Sequence, residues 1–465
     1  MIFRKVHWVH FVGIGGIGMS GIAELLLNLG FTVTGSDMNR SDNVMRMQKL
    51  GIDVAIGHDP SNLNNADVLV YSSAVPAENT EIIRARQKGI PVIRRAEMLG
   101  ELISMKPTSI AVGGTHGKTS TSSMIGMVLS SAKKDPTLVV GGLVHTLDTN
   151  AKLGAGEIIV VEADEFDRSF LALKPTIALV TNIELEHTDC YESLADLKNA
   201  FIQFCQSVPF YGEVILCADS STIREIKPKI ERPITTYGRS RDADFRAENL
   251  QFSRSQSEYS VFRKKEKLGD IKLNVPGEHN VMNSLGAVVL GLEMGLTFQE
   301  IQTGINAYQG VRRRFEIKGT YQNIMVVDDY AHHPTEVRAT LDAAKNGWDR
   351  RIISVFQPHL FTRTQAFFRE FADALLTTDI LIITDIYPAR EKPIPGITAE
   401  LIVNEAVNQG HSNVHYVPDL ENLTTVLDDI VQKNDMVLTM GAGSIWRYSE
   451  KYAAHLEQMK TRIQM

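Results

Sequence analysis

Cysteine is scarce: three residues, Cys190, Cys205 and Cys217, occur in 465. None forms a C-x-x-C pair, so the pattern reads as buried free thiols in a reducing compartment rather than a disulfide framework. An excess of basic residues is missing too. There are 48 Lys and Arg against 55 Asp and Glu, a net charge of −7, which speaks against a generic nucleic-acid binder. No signal peptide is visible. Residues 12–31 are apolar over about the length of a membrane span, but Gly13, Gly15, Gly16, Gly18, Ser20, Gly21, Glu24 and Asn28 interrupt them. A membrane helix is therefore not expected. Internal repeats and low-complexity segments are lacking. A cytoplasmic protein with neither a membrane nor a nucleic-acid partner is the expectation.

What is present is an ordinary globular composition, 43% hydrophobic and 22% charged, on a chain too long for one hydrophobic core. The first hundred residues alternate short apolar runs with amphipathic stretches. Residues 7–12 predict a strand, and 18–29 a helix with Met19, Ile22, Leu25, Leu26 and Leu29 on one face. Further strands are predicted at 31–35, 68–71 and 91–93. This alternation implies a parallel sheet. A second unit opens near Lys106-Pro107, with strands at 109–112, 157–161, 176–181 and 212–217. Residues 233–275 change to short alternating segments, an antiparallel appendage, before a helix resumes around 280–294. After Arg312-Arg313-Arg314 a third unit has strands at 324–327, 352–356, 380–384 and 436–439. The expected fold class is α/β in three domains. A Rossmann-like domain spans 1–105, a central ATPase domain, P-loop-type by its loop Gly113-Gly114-Thr115-His116-Gly117-Lys118-Thr119 and carrying the antiparallel appendage, spans 106–313, and a second Rossmann-like domain spans 314–465.

Two glycine loops carry the chemistry. Gly13-Ile-Gly15-Gly16-Ile-Gly18 lies between a predicted strand and a predicted helix. Glycines there let the backbone approach a pyrophosphate, and the helix start offers free N–H groups. Asp37 closes the second strand and could accept from a ribose hydroxyl. NAD and a UDP-sugar share these groups, so the loop alone leaves the ligand open. The second loop, Gly113-Gly114-Thr115-His116-Gly117-Lys118-Thr119-Ser120, is one residue shorter than the usual P-loop. Its N–H groups can cradle phosphates, Lys118 can reach the β and γ oxygens, and Thr119 can offer a hydroxyl to Mg²⁺.

Acidic groups follow the neighbouring strands. Glu162 stands at the tip of the run 158–161, beside the P-loop, where it suits Mg²⁺. Asp164, Glu165 and Asp167 read equally as metal ligands or as a solvated acidic loop. His187, in the stretch after the next strand, is expected at the same sheet edge.

The order of these motifs resembles the Mur ligases, the ATP-dependent amide-forming enzymes of peptidoglycan synthesis. The resemblance rests on GIGGIGMSGIA, GTHGKTST, VEADEFDRSF, TNIELEHTD, PGEHNVMNSLGA, RRRFE, DDYAHHPTE, FQPHLFTRT and YPAREKPIPG, and it covers essentially the whole chain. It implies joining of L-alanine to the lactyl carboxylate of UDP-N-acetylmuramate through an acyl phosphate, with ATP and Mg²⁺. The first loop, with Asp37, Ser72 and Ser73, would then hold the UDP-sugar rather than NAD. Gly114 to Ser120 would hold ATP, with Lys118 on the γ-phosphate. Thr119 and Glu162 would ligate one Mg²⁺, and His187 a second. His279, Asn280 and Asn283 would border the adenine, and Arg314 and Asp329 would complete the ATP site. Tyr330, His332 and Arg363 would line the amino acid, Arg363 binding its carboxylate. Leu360 stands where many members carry a second Arg, and Phe166 where many carry Ser. Some relatives use a carbamylated lysine, and Lys198 lies in that general region. The expected state is a monomer or weak homodimer. Three other readings remain: a ligase recycling a tripeptide onto the same UDP-sugar, an NAD-dependent dehydrogenase, and a P-loop regulatory switch.

Overall fold

The computed structural model describes residues 5–144, 149–186, 190–389 and 391–463. The chain divides into two compact units. One comprises residues 1–249, 259–272 and 282–309, the other residues 250–258, 273–281 and 310–465.

The first unit opens with a five-stranded parallel sheet of β1 (Trp8–Val12), β2 (Thr32–Asp37), β3 (Asp53–Ile56), β4 (Val68–Tyr71) and β5 (Val92–Arg94), in the order β3-β2-β1-β4-β5. The order reverses between β1 and β4. Crossovers there leave on opposite faces and open a crevice at the carboxyl ends of the strands. The helix Ile17–Asn28 forms because Met19, Ile22, Leu25 and Leu26 recur at helical spacing, and all four are buried. Sequence reading missed β3, whose four residues carry only one fully buried side chain, Val54. A buried polar network sets the interior of this sheet. Glu81, on the helix Thr80–Gln87, is fully buried and lies 3.0 Å from His10 Nε2 and 2.7 Å from Ser36 Oγ.

The second sheet has ten strands. They are β6 (Thr108–Gly113), β7 (Thr137–Val144), β8 (Thr149–Lys152), β9 (Ile158–Glu162), β10 (Ile177–Val180), β11 (Glu213–Cys217), β12 (Ile234–Gly238), β13 (Phe245–Ser253), β14 (Gln256–Arg263) and β15 (Glu266–Leu273). Their order is β15-β14-β13-β12-β11-β10-β6-β9-β7-β8. β6 lies between β9 and β10, all parallel. The ends of these three strands therefore converge on one edge. β12 extends the parallel sheet beside β11, and β13 starts parallel to β12, so the appendage begins later than the sequence suggests. β13 to β15 then follow one another through tight turns at Arg254 and Lys264, both at positive φ. β7 and β8 form an antiparallel pair that sequence reading missed.

The other unit is built on β16 (Glu316–Tyr321), β17 (Ile324–Asp329), β18 (Ile352–Phe356), β19 (Ile380–Ile383), β20 (Val414–Tyr416) and β21 (Met436–Met440), in the order β16-β17-β21-β18-β19-β20. Only the edge pair β16–β17 is antiparallel. Side chains alternate along the strands onto two apolar layers. Val327, Phe356, Leu381 and Leu438 pack on one face, and Val326, Val355, Ile382 and Val437 on the other. Both faces are covered, hence the continuous apolar runs in sequence. Among the described residues no helix is long and apolar enough to cross a membrane.

Candidate functional site

The first glycine loop turns at Gly13, whose φ of +80° suits glycine. Gly13 and Ile14 donate to the Ser36 carbonyl at 2.8 and 3.1 Å. Gly15 is pinned from both sides: its N–H donates to Asp37 Oδ2 at 2.8 Å and its carbonyl accepts from Asn43 Nδ2 at 2.9 Å. A Cβ at Gly15 would lie 2.8 Å from both Asp37 and Val44, so no larger residue fits. Asp37 Oδ1 accepts from Asn39 N–H. The carboxylate expected to accept from a ribose thus already accepts two backbone N–H groups, one from the loop and one from the turn after β2. The helix after Gly16 has no side-chain cap, and its Ile17 and Gly18 N–H groups have no acceptor among the described residues. These are the donors a helix start offers to an anion. Ser72 and Ser73 follow β4 across the crevice, Ser72 Cβ within 3.3 Å of a Cβ built on Gly13. Gly13, Gly15, Gly16, Gly18, Asp37, Ser72 and Ser73 therefore share one sheet edge.

The second loop links β6 to the helix Lys118–Ser131. Gly114 and Gly117 take φ of +129° and +82°. A Cβ on Gly114 would sit 2.1 Å from Thr181 Oγ1, and one on Gly117 2.3 Å from Asn283 Oδ1. The loop is moulded by the segment after β10. His116 N–H donates to Asn182 Oδ1 at 2.9 Å, Asn182 Nδ2 and Thr181 Oγ1 donate to the His116 carbonyl, and Thr115 Oγ1 exchanges hydrogen bonds with the backbone of Glu184. His116 Nε2 lies 3.5 Å from a Glu184 carboxylate oxygen. Ser120 is buried in the first turn of the helix.

Lys118 Nζ donates to the carbonyls of Gly114 and Thr115 at 2.7 and 3.1 Å, and to both oxygens of Glu165 at 2.9 and 2.7 Å. Burial opposes its charge, but Glu165, Asp164 and Glu162 outweigh this and hold its pKa above the usual range. Burial pushes the Glu165 carboxyl up to about 7 against the pull of Lys118, with Asp164 and Glu186 adding to the rise. Of the acids read as a loop, Glu165 is 1% exposed and is committed to Lys118. Tyr191 Oη donates to its carbonyl, and Asp167 and Arg168 beyond it adopt positive φ.

Glu162, at the end of β9, accepts from Thr119 Oγ1 at 3.0 and 2.9 Å and from Gly141 N–H at 2.6 Å. Two neighbouring oxygens of an octahedral Mg²⁺ shell, each about 2.1 Å from the ion, stand roughly 3 Å apart. Thr119 and Glu162 fit that requirement in donor type and spacing. His187 lies outside the described residues. Lys198 pairs with Glu225 at 2.5 Å, and no acid of the Glu162 segment is its partner in that bridge.

In the other unit, Arg314 lies 3.6 Å from Glu336 and stacks over Tyr330. Arg313 donates to Asp328 and to the Gly441 carbonyl, while Arg312 is exposed. Asp329 ends β17 and accepts from Phe315 and Ala331 N–H, both at 2.7 Å; burial raises its carboxyl to about 6 although Arg314 opposes this. His279 is held neutral: burial, and then Arg314, lower its pKa to about 4. Asn280 donates to the Pro276 carbonyl. His279 and Asn280 thus belong to this unit and Asn283 to the other. His332 Nδ1 lies 2.9 Å from the Tyr330 carbonyl, and its ring meets those of Tyr330 and His359. Arg363, 8% exposed, donates to His359 Nδ1 at 3.2 Å, and His359 stacks on Tyr387. Tyr330, His332 and Arg363 are therefore linked through His359. Leu360 takes φ of +70° just before the Phe361–Leu375 helix, an unusual conformation for a branched side chain.

Three family models match in series. They are the Mur ligase family catalytic domain over residues 8–107, the Mur ligase middle domain over 112–291 and the Mur ligase glutamate ligase domain over 313–443. The chain belongs to the Mur ligase family. The UDP-N-acetylmuramate–L-alanine ligase of Geotalea daltonii is 48% identical over 457 residues, covering 98% of this chain and 100% of the relative. That of Syntrophus aciditrophicus is 51% identical over 442 residues, 95% of this chain and 92% of the relative. Among solved structures, the UDP-N-acetylmuramate–alanine ligase of Thermotoga maritima superposes with a TM-score of 0.84 at 29% identity, covering 98% of this chain and 100% of that one.

Within this Mur ligase the structure adds residues that sequence reasoning did not single out. Asn182, His359 and Tyr387 all stand inside the motifs that carried the resemblance, and Glu165, read there only as a metal ligand or a loop acid, proves to be the partner of Lys118. Their partners are fixed by sheet order, which single motifs do not encode.

Proposed function

We infer that the chain joins L-alanine to the lactyl carboxylate of UDP-N-acetylmuramate, at the expense of ATP, in peptidoglycan precursor synthesis. The observation that carries this reading is the pairing, within one unit, of two separate phosphate edges. One has Ile17 and Gly18 N–H groups without an acceptor among the described residues. The other sets Lys118 beside the Thr119–Glu162 oxygen pair. One edge suits a UDP pyrophosphate, the other the triphosphate.

A carboxylate does not condense with an amine directly, because its oxygen is a poor leaving group. In the reaction the lactyl carboxylate attacks the γ-phosphorus of ATP and ADP departs, leaving an acyl phosphate. The alanine amine then attacks the acyl carbon. Phosphate leaves from the tetrahedral intermediate, and the amine loses its proton. Phosphoryl transfer of this kind rests on positioning and charge neutralisation. Lys118 supplies one positive charge, largely withdrawn from water, and Arg314 a second, partly exposed one. Thr119 and Glu162 would hold Mg²⁺, with His187 serving a second ion; bound there, the metal neutralises phosphate oxygens. His279, Asn280, Asn283 and Asp329 complete nucleotide binding. Arg363 takes the amino-acid carboxylate, with Tyr330 and His332 beside it. The domain limits 1–105, 106–313 and 314–465 assign these tasks in order to UDP-sugar, ATP and amino acid. The protein works in the cytoplasm as a monomer or weak homodimer.

The deciding assay is ADP release with UDP-N-acetylmuramate and, separately, L-alanine, glycine, L-serine or a murein tripeptide. Turnover with L-alanine is expected. Turnover with the tripeptide alone would make it a recycling ligase instead.

A further inference from the structure

A cleft in the first unit runs between its two phosphate edges. One part is lined by Ser73, Arg94, Arg95, Asp167, Arg168 and Ser169. A second part shares Arg95, Ala96 and Ser169 and reaches Glu162 and Asp164. Arg95 lines both. It is the first residue of the helix Arg95–Ser104, directly after β5.

The three arginines of this cleft are not equivalent. Arg94 donates to Tyr71 Oη at 3.4 Å, and Arg168 binds Asp196 at 2.5 Å and covers the Tyr191 ring. Arg95 has only an ion pair, with Asp164 at 3.6 Å, and no hydrogen bond among the described residues; its side chain is 21% exposed. A half-buried guanidinium whose five donors make one long ion pair and no hydrogen bond among the described residues keeps hydrogen-bonding capacity for a further oxyanion. Their position defines what would meet it. Arg95 Nη1 stands 2.9 Å from a Cβ built on Gly18, at the same helix start whose Ile17 and Gly18 N–H groups have no acceptor among the described residues. Its other side faces Asp164, within the segment that carries Glu162 and Glu165.

We propose that Arg95 anchors an oxyanion of the nucleotide-sugar between the two phosphate edges, exchanging Asp164 for the substrate. The proposal rests on the UDP-sugar reading above and adds a positioning residue to it. Two substrate groups present that chemistry, the pyrophosphate and the lactyl carboxylate. Arg95 gives up a long ion pair and gains charge-assisted hydrogen bonds. Asp164 competes with the substrate for Arg95.

The test is calorimetric binding, without ATP or Mg²⁺, of UDP, UDP-N-acetylglucosamine and UDP-N-acetylmuramate to the full chain and to three variants. Arg95→Ala should weaken UDP-N-acetylmuramate by at least about tenfold, the loss of one charge-assisted hydrogen bond. Arg95→Lys should recover part of the loss. Asp164→Asn should tighten binding severalfold, an effect of opposite sign that a damaged fold does not give. A loss shared by all three ligands assigns the pyrophosphate. A loss confined to UDP-N-acetylmuramate, the one ligand carrying the lactyl group, assigns the carboxylate. Unchanged affinities in Arg95→Ala, or weakening by both Arg95→Ala and Asp164→Asn, would overturn the proposal. If the unmodified chain binds none of the three, the UDP-sugar reading itself fails.

Discussion

Glu165→Ala probes how the P-loop lysine is held. In the structure Glu165 takes both its oxygens to Lys118 Nζ, at 2.9 and 2.7 Å, and the two side chains are 1% and 13% exposed. Removing one partner of a buried pair leaves the other charge uncompensated, at a cost of about 3–5 kcal/mol. Here the carbonyls of Gly114 and Thr115 remain, so the lower end applies. At roughly 2–4 °C per kcal/mol for a domain of this size, the central transition should fall by roughly 6–12 °C. Glu165→Gln keeps an oxygen acceptor and should lose less, about 1.5–3 kcal/mol. The triphosphate offers Lys118 new anionic partners. The deficit of Glu165→Ala should therefore shrink when a non-hydrolysable ATP analogue and Mg²⁺ are added. Thermal unfolding of both proteins, with and without the analogue, measures this. An equal deficit in the two conditions would refute the idea that Glu165 occupies the place of phosphate. So would a Lys118→Ala, Glu165→Ala pair whose effects simply add.

Three other outcomes are expected. Lys118→Ala should abolish ATP-dependent ligation while UDP-sugar affinity, measured by calorimetry, stays near that of the unmodified chain; equal loss of both would mean the two edges are one site. His279 is held neutral in the fold, with a pKa lowered from 6.5 to about 4, so the unfolded chain binds its proton first. Its contribution to stability is complete above pH 6.5 and is lost as pH falls towards 4, by up to about 1.4 kcal/mol per pH unit. Denaturant midpoints between pH 7 and 4.5 should accordingly fall less steeply in His279→Gln, and parallel curves would contradict the assignment. Leu360→Arg adds a guanidinium near Arg363 and should lower the KM for L-alanine by about tenfold, the worth of a charge-assisted hydrogen bond; an unchanged KM in steady-state assays would place the carboxylate elsewhere.

The strands at the centre of each sheet were legible because burial on both faces makes them continuous apolar runs. β6, β9, β10, β18 and β21 lie within a residue or two of their expected limits. β3, β7, β8, β16 and β20 were not legible: four of them lie at sheet edges, their patterns are short or mixed, and long-range pairing decides their state rather than local propensity. In the site, residue types with a single chemical use were readable. Lys118, Thr119 and Glu162 were singled out from spacing alone; the structure brings Thr119 and Glu162 within hydrogen-bond reach, while Lys118 turns to Glu165. Glu165 was not, because four acids in six residues look alike until Tyr191 and the positive-φ turn at Asp167 and Arg168 aim one of them inward.

The two glycine loops show why a local motif stops short of a function. Both follow a buried strand, both use positive φ, and both open a helix whose first N–H groups suit phosphate. Neighbouring strands make them different. β2 brings Asp37 to the first loop, and Asp37 spends its charge on Gly15 and Asn39, leaving backbone donors and no metal ligand. β9 brings Glu162 to the second, where it meets a hydroxyl and a glycine N–H, and the segment behind it brings Glu165 to Lys118. The first edge can therefore hold a pyrophosphate without activating it, while the second gathers the charges that phosphoryl transfer requires. On the proposed function, a nucleotide that must stay intact and a nucleotide that must be cleaved would thus be kept on separate sheets.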